Sequence, residues 1–328
     1  METLLLDADT PGAVARAVAL LAAGELVALP TETVYGLAAD AARPDALAAI
    51  FQAKERPLFD PLIVHLPDGG WLERLTAPTR AQTALVERLA AAFWPGPLTT
   101  VLPRRADAVP DLVTAGGELV GVRRSAHPVF RAVVEGLGRP LAAPSANRFG
   151  RISPTTGAHV VAELAGRVPL VLDAGPTAHG LESTVILPGE DGETIRVLRH
   201  GPITAEMLAT FAQVEAASDL ARQSSPGQTL GHYAPRTPLR FVDDGATPGG
   251  RVGLLAYRPP TNKGSFAAVE TLSEDGNLRV AATRLFAALR RLDEAGLDCI
   301  VAERMPEEGL GRAIMERLRR AAAGSGPA

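Results

Sequence analysis

From residue 11 to about residue 200, short apolar runs alternate with stretches of helical periodicity. This alternation restricts the chain to a sheet with helices packed on it. Residues 11–23 read as an amphipathic helix and residues 25–29 as the strand that follows. Pro44 takes a favoured first-turn position for a helix over residues 45–55, which Pro57 stops. Residues 61–66 read as a strand with His65 near its exit, residues 79–93 as a helix, and residues 98–102 as a strand. Further strands are expected over residues 119–123, 141–143, 170–172, 184–187 and 195–198, with helices near 129–137 and 155–164.

From about residue 212 the periodicity fades, and Ser, Gln, Gly and Pro accumulate as far as residue 237. Leu230, His232 and Tyr233 interrupt this stretch, so it is not a plain polar tether. A second pattern follows, with strands over 239–242, 252–257, 267–271 and 299–302 and helices over 277–294 and 309–322. The expected fold class is therefore α/β throughout. A catalytic domain spans residues 1–211, a linker residues 212–237, and a smaller C-terminal α/β domain residues 238–328.

Four polar strings lie at joints of this pattern: PTETVYGL (30–37), KERP (54–57), PSAN (144–147) and GLESTVI (180–186). The first and third come just after predicted strands, where open α/β sheets bind ligands. No GxxxxGK[ST] loop exists, so phosphate binding falls to dispersed cations, hydroxyls and backbone N–H groups. Lys54 and Arg56 are the obvious cations, and the chain's only other lysine is Lys263. A solvated pair at a helix end is the plain alternative, because cations also favour the helix dipole there. Ser145, Asn147 and Ser153 supply hydroxyl and amide groups, and a Ser-x-Asn before Gly150 is equally an ordinary turn. Glu32 and Glu182 lie beside Thr33 and Ser183 as possible orienters. Neither is expected to act as a catalytic base.

Taken together, these strings resemble the threonylcarbamoyl-AMP synthase family in its long, two-domain form with a YrdC-type catalytic domain. PLIVH (61–65), WPGPL (94–98), GVRRSAHP (121–128), DAG (173–175), VLRHGP (197–202) and SPGQTLGHYAP (225–235) extend the resemblance over nearly the whole chain. It implies a twisted sheet with an open concave cleft, and a Rossmann-like second domain. The implied reaction joins L-threonine, bicarbonate or CO₂, and ATP into threonylcarbamoyl-AMP and pyrophosphate, the first step of tRNA adenosine threonylcarbamoylation. By the same resemblance Lys54 and Arg56 are catalytic, and Thr33, His65, the backbone around Ala143, and Ser183 bind L-threonine. Arg56, Asp60, Leu119, Arg123, Ser145, Asn147, Ser153, Arg199 and Tyr233 bind ATP, which enters with Mg²⁺. Tyr233 is expected to reach back over the nucleotide as part of a lid. Two positions depart from the family pattern: Asp60 stands where Asn is frequent, and Leu119 where Thr is frequent, so only a backbone contact is open to Leu119.

The charge balance of 33 basic against 37 acidic residues, net −4, gives no overall field for nucleic acid. A separate transferase is expected to carry the product to tRNA. An RNA-binding module is the alternative outside enzymes. A carbamoyl-adenylate-forming maturation enzyme is the alternative within them, but that larger type carries zinc-binding cysteine pairs. The single cysteine, Cys299, falls in an apolar run and reads as structural. No apolar stretch nears the roughly 20 residues that span a bilayer, and the acidic N-terminus does not read as a signal peptide. A cytoplasmic protein is expected.

Overall fold

The computed structural model describes residues 1–216, 232–244, 249–261 and 266–324. Most of the expected linker (217–231, with Leu230) and Lys263 lie outside the described residues. Eleven strands among those described form one mixed sheet. They are β1 (Leu4–Asp7), β2 (Val27–Leu29), β3 (Gly36–Asp40), β4 (Ile63–His65), β5 (Leu98–Pro103), β6 (Leu119–Arg123), β7 (Leu141–Ala142), β8 (Leu170–Asp173), β9 (Thr184–Pro188), β10 (Thr194–Arg199) and β11 (Gln213–Ala216). Their order across the sheet is β1-β8-β2-β3-β7-β4-β6-β5-β9-β10-β11. A second sheet holds β12 (Leu239–Phe241), β13 (Val252–Ala256), β14 (Ala268–Thr271) and β15 (Cys299–Ala302) in the order β12-β15-β13-β14, every pair parallel.

β2 and β4 are buried along their whole length, so their sequences are apolar runs rather than alternating ones. The helix Ala13–Ala23 buries Ala13, Ala17 and Leu21 at four-residue spacing. Thr79 and Gln82 form a reciprocal cap that starts the helix Arg80–Phe93, and Asn277 caps the long helix Leu278–Glu294. Cys299 is buried in β15, as its surroundings predict.

Three strands escape the sequence pattern. β1 is four residues of mostly identical leucines, β3 grows out of the end of PTETVYGL, and β11 occupies the first residues of the expected linker range. β11 pairs parallel with β10, so the large sheet continues past residue 211.

A continuous apolar cluster joins the two parts of the chain. Val34, Ile152 and Leu181 from the large sheet's loops pack with Tyr233, Leu285 and Phe286 on the C-terminal side. This seam lies directly beside the cavity described next.

Candidate functional site

The polar strings meet because of how the strands are ordered. β4 and β6 run parallel with His65 opposite Arg123, and β7 lies against β4 on its other side. β2 and β3 form a hairpin whose connection is residues 30–35. Ser183 precedes β9, and Arg199 ends its antiparallel neighbour β10. Strand ends distant in sequence thereby surround one cavity of about 50 Å³, lined by Thr33, Val34, Arg56, Ile63, His65, Arg123, Ala143, Pro144, Ser145, Glu182, Ser183, Arg199, His232 and Tyr233.

On one wall, Arg123 donates to Glu32 Oε1 at 2.5 Å and to Thr33 Oγ1 at 3.0 Å, and its Nε reaches the carbonyl of Gly96 at 3.3 Å. Ser125 donates to the other oxygen of Glu32. Burial would raise the Glu32 pKa, but the charge of Arg123 and the bonds from Ser125 and Arg123 outweigh it and hold the carboxyl down to about 2. Glu32 is thus a fixed anion that aims Arg123. His65 packs on Phe130 with ring centroids 4.5 Å apart. Burial first, and then the neighbouring Arg123, lower its pKa to about 3, so it is neutral.

Arg199 donates to the hydroxyl of Ser183 at 3.0 Å and to its carbonyl at 3.1 Å, while Ser183 also bonds Thr99 at 2.8 Å. Arg56 forms a buried ion pair with Asp60 at 3.0 Å and donates to the carbonyl of Pro61 at 2.7 Å. From the expected linker, His232 meets Phe149 edge-on and Tyr233 stacks on Phe286 at 5.6 Å. Tyr233 has a positive φ of 65°. Burial, followed by the charges of Arg56 and Lys54, pushes His232 down to about 3.

Of the expected site residues, the structure brings Thr33, Arg56, His65, Arg123, Ala143, Ser145, Ser183, Arg199 and Tyr233 to the cavity, and places five elsewhere. Lys54 differs most. Glu55 caps the helix Pro44–Lys54 in a left-handed conformation, with φ 54°, so the chain turns between Lys54 and Arg56. Lys54 is buried with its Nζ donating to the backbone carbonyls of Ser145 and Asn147, each at 2.5 Å. Burial and the nearby Arg56 lower its pKa well below the usual lysine range. It braces the turn that carries Ser145. Asn147 turns its amide to the carbonyls of Arg148 and Arg151, Ser153 donates to Glu182 Oε1, and Asp60 is taken up by Arg56. Leu119 starts the strand that Arg123 ends, about 13 Å away at the usual rise. It packs against the apolar cluster of Val101, Val185 and Leu198.

The sequence reading did not assign Val34, Ile63, Pro144 and His232 to the site. It also passed over Arg317, which belongs to the C-terminal helix Leu310–Ala323 and is fully buried against Glu182. A signal for it existed: Arg317 lies three residues after Ile314 and four before Ala321, on the helix's buried face. Among the described residues no group of three or more His, Cys, Asp or Glu side chains forms a metal cluster, and no helix is long and apolar enough to cross a membrane.

Two family models cover most of the chain. The Sua5–YciO–YrdC model, described as telomere recombination, matches residues 19–201, and a model described as the threonylcarbamoyl-AMP synthase C-terminal domain matches residues 203–323. The threonylcarbamoyl-AMP synthase of Bacillus subtilis is 41% identical over 95% of this chain and 93% of its own length. The chain belongs to the threonylcarbamoyl-AMP synthase family. The family's Pyrococcus abyssi member is 37% identical over 91% of this chain and 90% of its own. A crystal structure of P. abyssi Sua5 complexed with L-threonine superposes with a TM-score of 0.84 at 32% identity, covering 99% of this chain and 98% of that one. The two-domain architecture of the family is therefore the architecture of this chain.

Proposed function

We propose that this chain makes threonylcarbamoyl-AMP and pyrophosphate from L-threonine, bicarbonate or CO₂, and ATP. The observation that carries this reading is the convergence of three buried arginines, Arg56, Arg123 and Arg199, on one cavity that also holds Thr33, His65 and Ser183. Cations suit a triphosphate, and the hydroxyl and imidazole set suits a small zwitterion beside it. Thr33, His65, the backbone at Ala143 and Ser183 take the threonine. Arg123, expected at the nucleotide by resemblance, bonds Thr33, and in this reading it stands with the threonine set, suited to the substrate carboxylate. Arg56, Arg199, Ser145 and Tyr233 take the nucleotide.

In the proposed chemistry the threonine amine adds to CO₂ and loses a proton, giving an N-carboxylate. That carboxylate attacks the α-phosphorus, a P–O bond forms, and the bond to the pyrophosphate oxygen breaks. Neutral His65 acts by contact rather than by titration. Catalysis comes from aligning two substrates and neutralising the leaving phosphates. The carboxylates nearest the cavity are already engaged: Glu32 by Arg123 and Ser125, Asp60 by Arg56, and Glu182 by Ser153 and Arg317. They form no dedicated Mg²⁺ site, and Mg²⁺ enters in this reading bound to the triphosphate of its substrate. Lys54 contributes by bracing the Ser145 turn.

A cavity of about 50 Å³ is far below the roughly 300–1,000 Å³ of pockets that enclose small-molecule ligands. ATP needs more room than this, and in this reading His232 and Tyr233, which line the cavity from the expected linker, are the lid that shifts to admit it. The same reading keeps a catalytic part that includes β11, a connecting segment, and a C-terminal domain from residue 238. It also places the enzyme ahead of a separate tRNA-modifying transferase in the cytoplasm.

The test is mass spectrometry of products formed from ATP and bicarbonate with L-threonine or L-serine, alongside pyrophosphate release. Pyrophosphate should require both threonine and bicarbonate, with serine poorer by about 1–3 kcal/mol for its missing methyl. Equal release without threonine would make the chain a plain ATPase and end this reading.

A further inference from the structure

Arg317 lies on the C-terminal helix Leu310–Ala323, far in sequence from every residue of the cavity, yet it is 1% exposed and reaches Glu182 and Tyr233 of the cavity wall and the carbonyl of His200. Its Nε donates to Glu182 Oε2 at 3.1 Å, and Glu182 Oε1 accepts from Ser153. Its Nη1 donates to the carbonyl of His200 at 2.7 Å, while the neighbouring Glu316 accepts from the His200 N–H at 3.1 Å. One helical turn therefore grips both polar groups of the residue that follows Arg199. The guanidinium carbon also lies over the Tyr233 ring, 5.4 Å from its centroid. Nη2 is buried with no hydrogen-bond partner among the described residues.

We infer that Arg317 is a positioning residue of the nucleotide site, supplied by the C-terminal domain, and that its charge shields ATP from Glu182. Glu182 lines the cavity beside Ser183. An anion in that wall repels a triphosphate unless a fixed cation neutralises it, and in a dry site this repulsion is strong. A flexible lysine would supply the charge without the geometry. The planar fork of arginine holds Glu182 and the His200 carbonyl together and presents its face to Tyr233. The C-terminal domain is thus part of the nucleotide site rather than an appendage to it.

The sign of the effect separates this role from simple packing. Freed from Arg317, the Glu182 carboxylate opposes the polyanion ATP but not the net-neutral threonine zwitterion. The proposal rests on the ATP-using reading above, so the experiment measures binding as well as turnover. ATP and threonine affinities are determined by calorimetry on the full chain for wild type, Arg317→Met, Arg317→Lys and Glu182→Gln/Arg317→Met, each with its melting temperature.

Arg317→Met should weaken ATP by about tenfold or more, equivalent to about 1.4 kcal/mol, while threonine changes by less than about twofold. Adding Glu182→Gln should recover most of the lost ATP affinity. Arg317→Lys, which keeps the charge and the long stem, should lose less than Arg317→Met and is the variant read if Arg317→Met does not fold. Unchanged ATP affinity in a folded variant would overturn the proposal, as would parallel losses for both ligands or no recovery in the double variant. A wild-type chain that binds ATP but releases no threonine-dependent pyrophosphate would instead overturn the proposed reaction and leave the Arg317 comparison intact.

Discussion

Replacing Tyr233 by alanine should lower the melting temperature of the ligand-free protein as well as weaken ATP binding. The reason is where the ring sits: Tyr233 is 3% exposed, stacks on Phe286 at 5.6 Å with an interplanar angle of 22°, and shares a core with Val34, Ile152 and Leu181. Truncating a buried aromatic side chain to alanine costs about 3–5 kcal/mol. An unfolding entropy of about 2.1 cal/mol/K per residue gives roughly 0.7 kcal/mol/K for 328 residues unfolding as one unit. The expected drop is therefore about 4–7 °C. Tyr233→Phe keeps the ring and its stacking, and should stay within about 2 °C of wild type, since volume-conserving changes cost below about 1.5 kcal/mol. Differential scanning calorimetry without ligand measures both shifts, and repeating the scans at a fixed excess of ATP reads how much nucleotide stabilisation each variant retains. If Tyr233→Ala melts with wild type in the absence of ligand, the ring is not part of the resting core. ATP would then have no packed ring to displace.

Two further outcomes follow from buried polar groups. Lys54→Met removes both donors that brace the Ser145 turn and should reduce kcat/KM by about 10²-fold through misplacement of the Ser145 wall, which steady-state pyrophosphate release would detect; near-normal turnover would show that the turn holds itself. Stability should fall as pH drops below about 6.5, because His65 and His232 have pKa values lowered to about 3 when folded but return to 6.5 when unfolded, so the unfolded chain binds more protons between those values. Two such groups give a slope of about 3 kcal/mol per pH unit near pH 5, and Glu32, held to about 2, adds a loss of the same sign below pH 4.5. Urea midpoints at pH 7 and pH 5 check this, and equal midpoints would contradict neutral, buried imidazoles.

The local pattern was enough to establish the α/β class, the positions of most helices, and the polar strings that end strands. Helical periodicity and capping residues such as Thr79 and Asn277 act within a few residues of one another, and so they are visible in one dimension. The family motifs likewise named most of the cavity. What the sequence could not decide was which neighbours the strands and charges would meet. β3 and β11 are strands because β2 and β10 offer them hydrogen bonds: β3 continues directly out of a polar string, and β11 holds one valine between Gln213 and Glu215. Lys54 and Arg56 stand two residues apart with a left-handed Glu55 between them, one bonding the carbonyls of the Ser145 turn and the other lining the cavity. Leu119 and Arg123 share a strand, but only one end of that strand opens on the site. Arg317 is one of four arginines on its helix, and only the fold sets Glu182, His200 and Tyr233 around it. A charge is buried only where distant partners converge to pair it, and that convergence exists only in the folded chain.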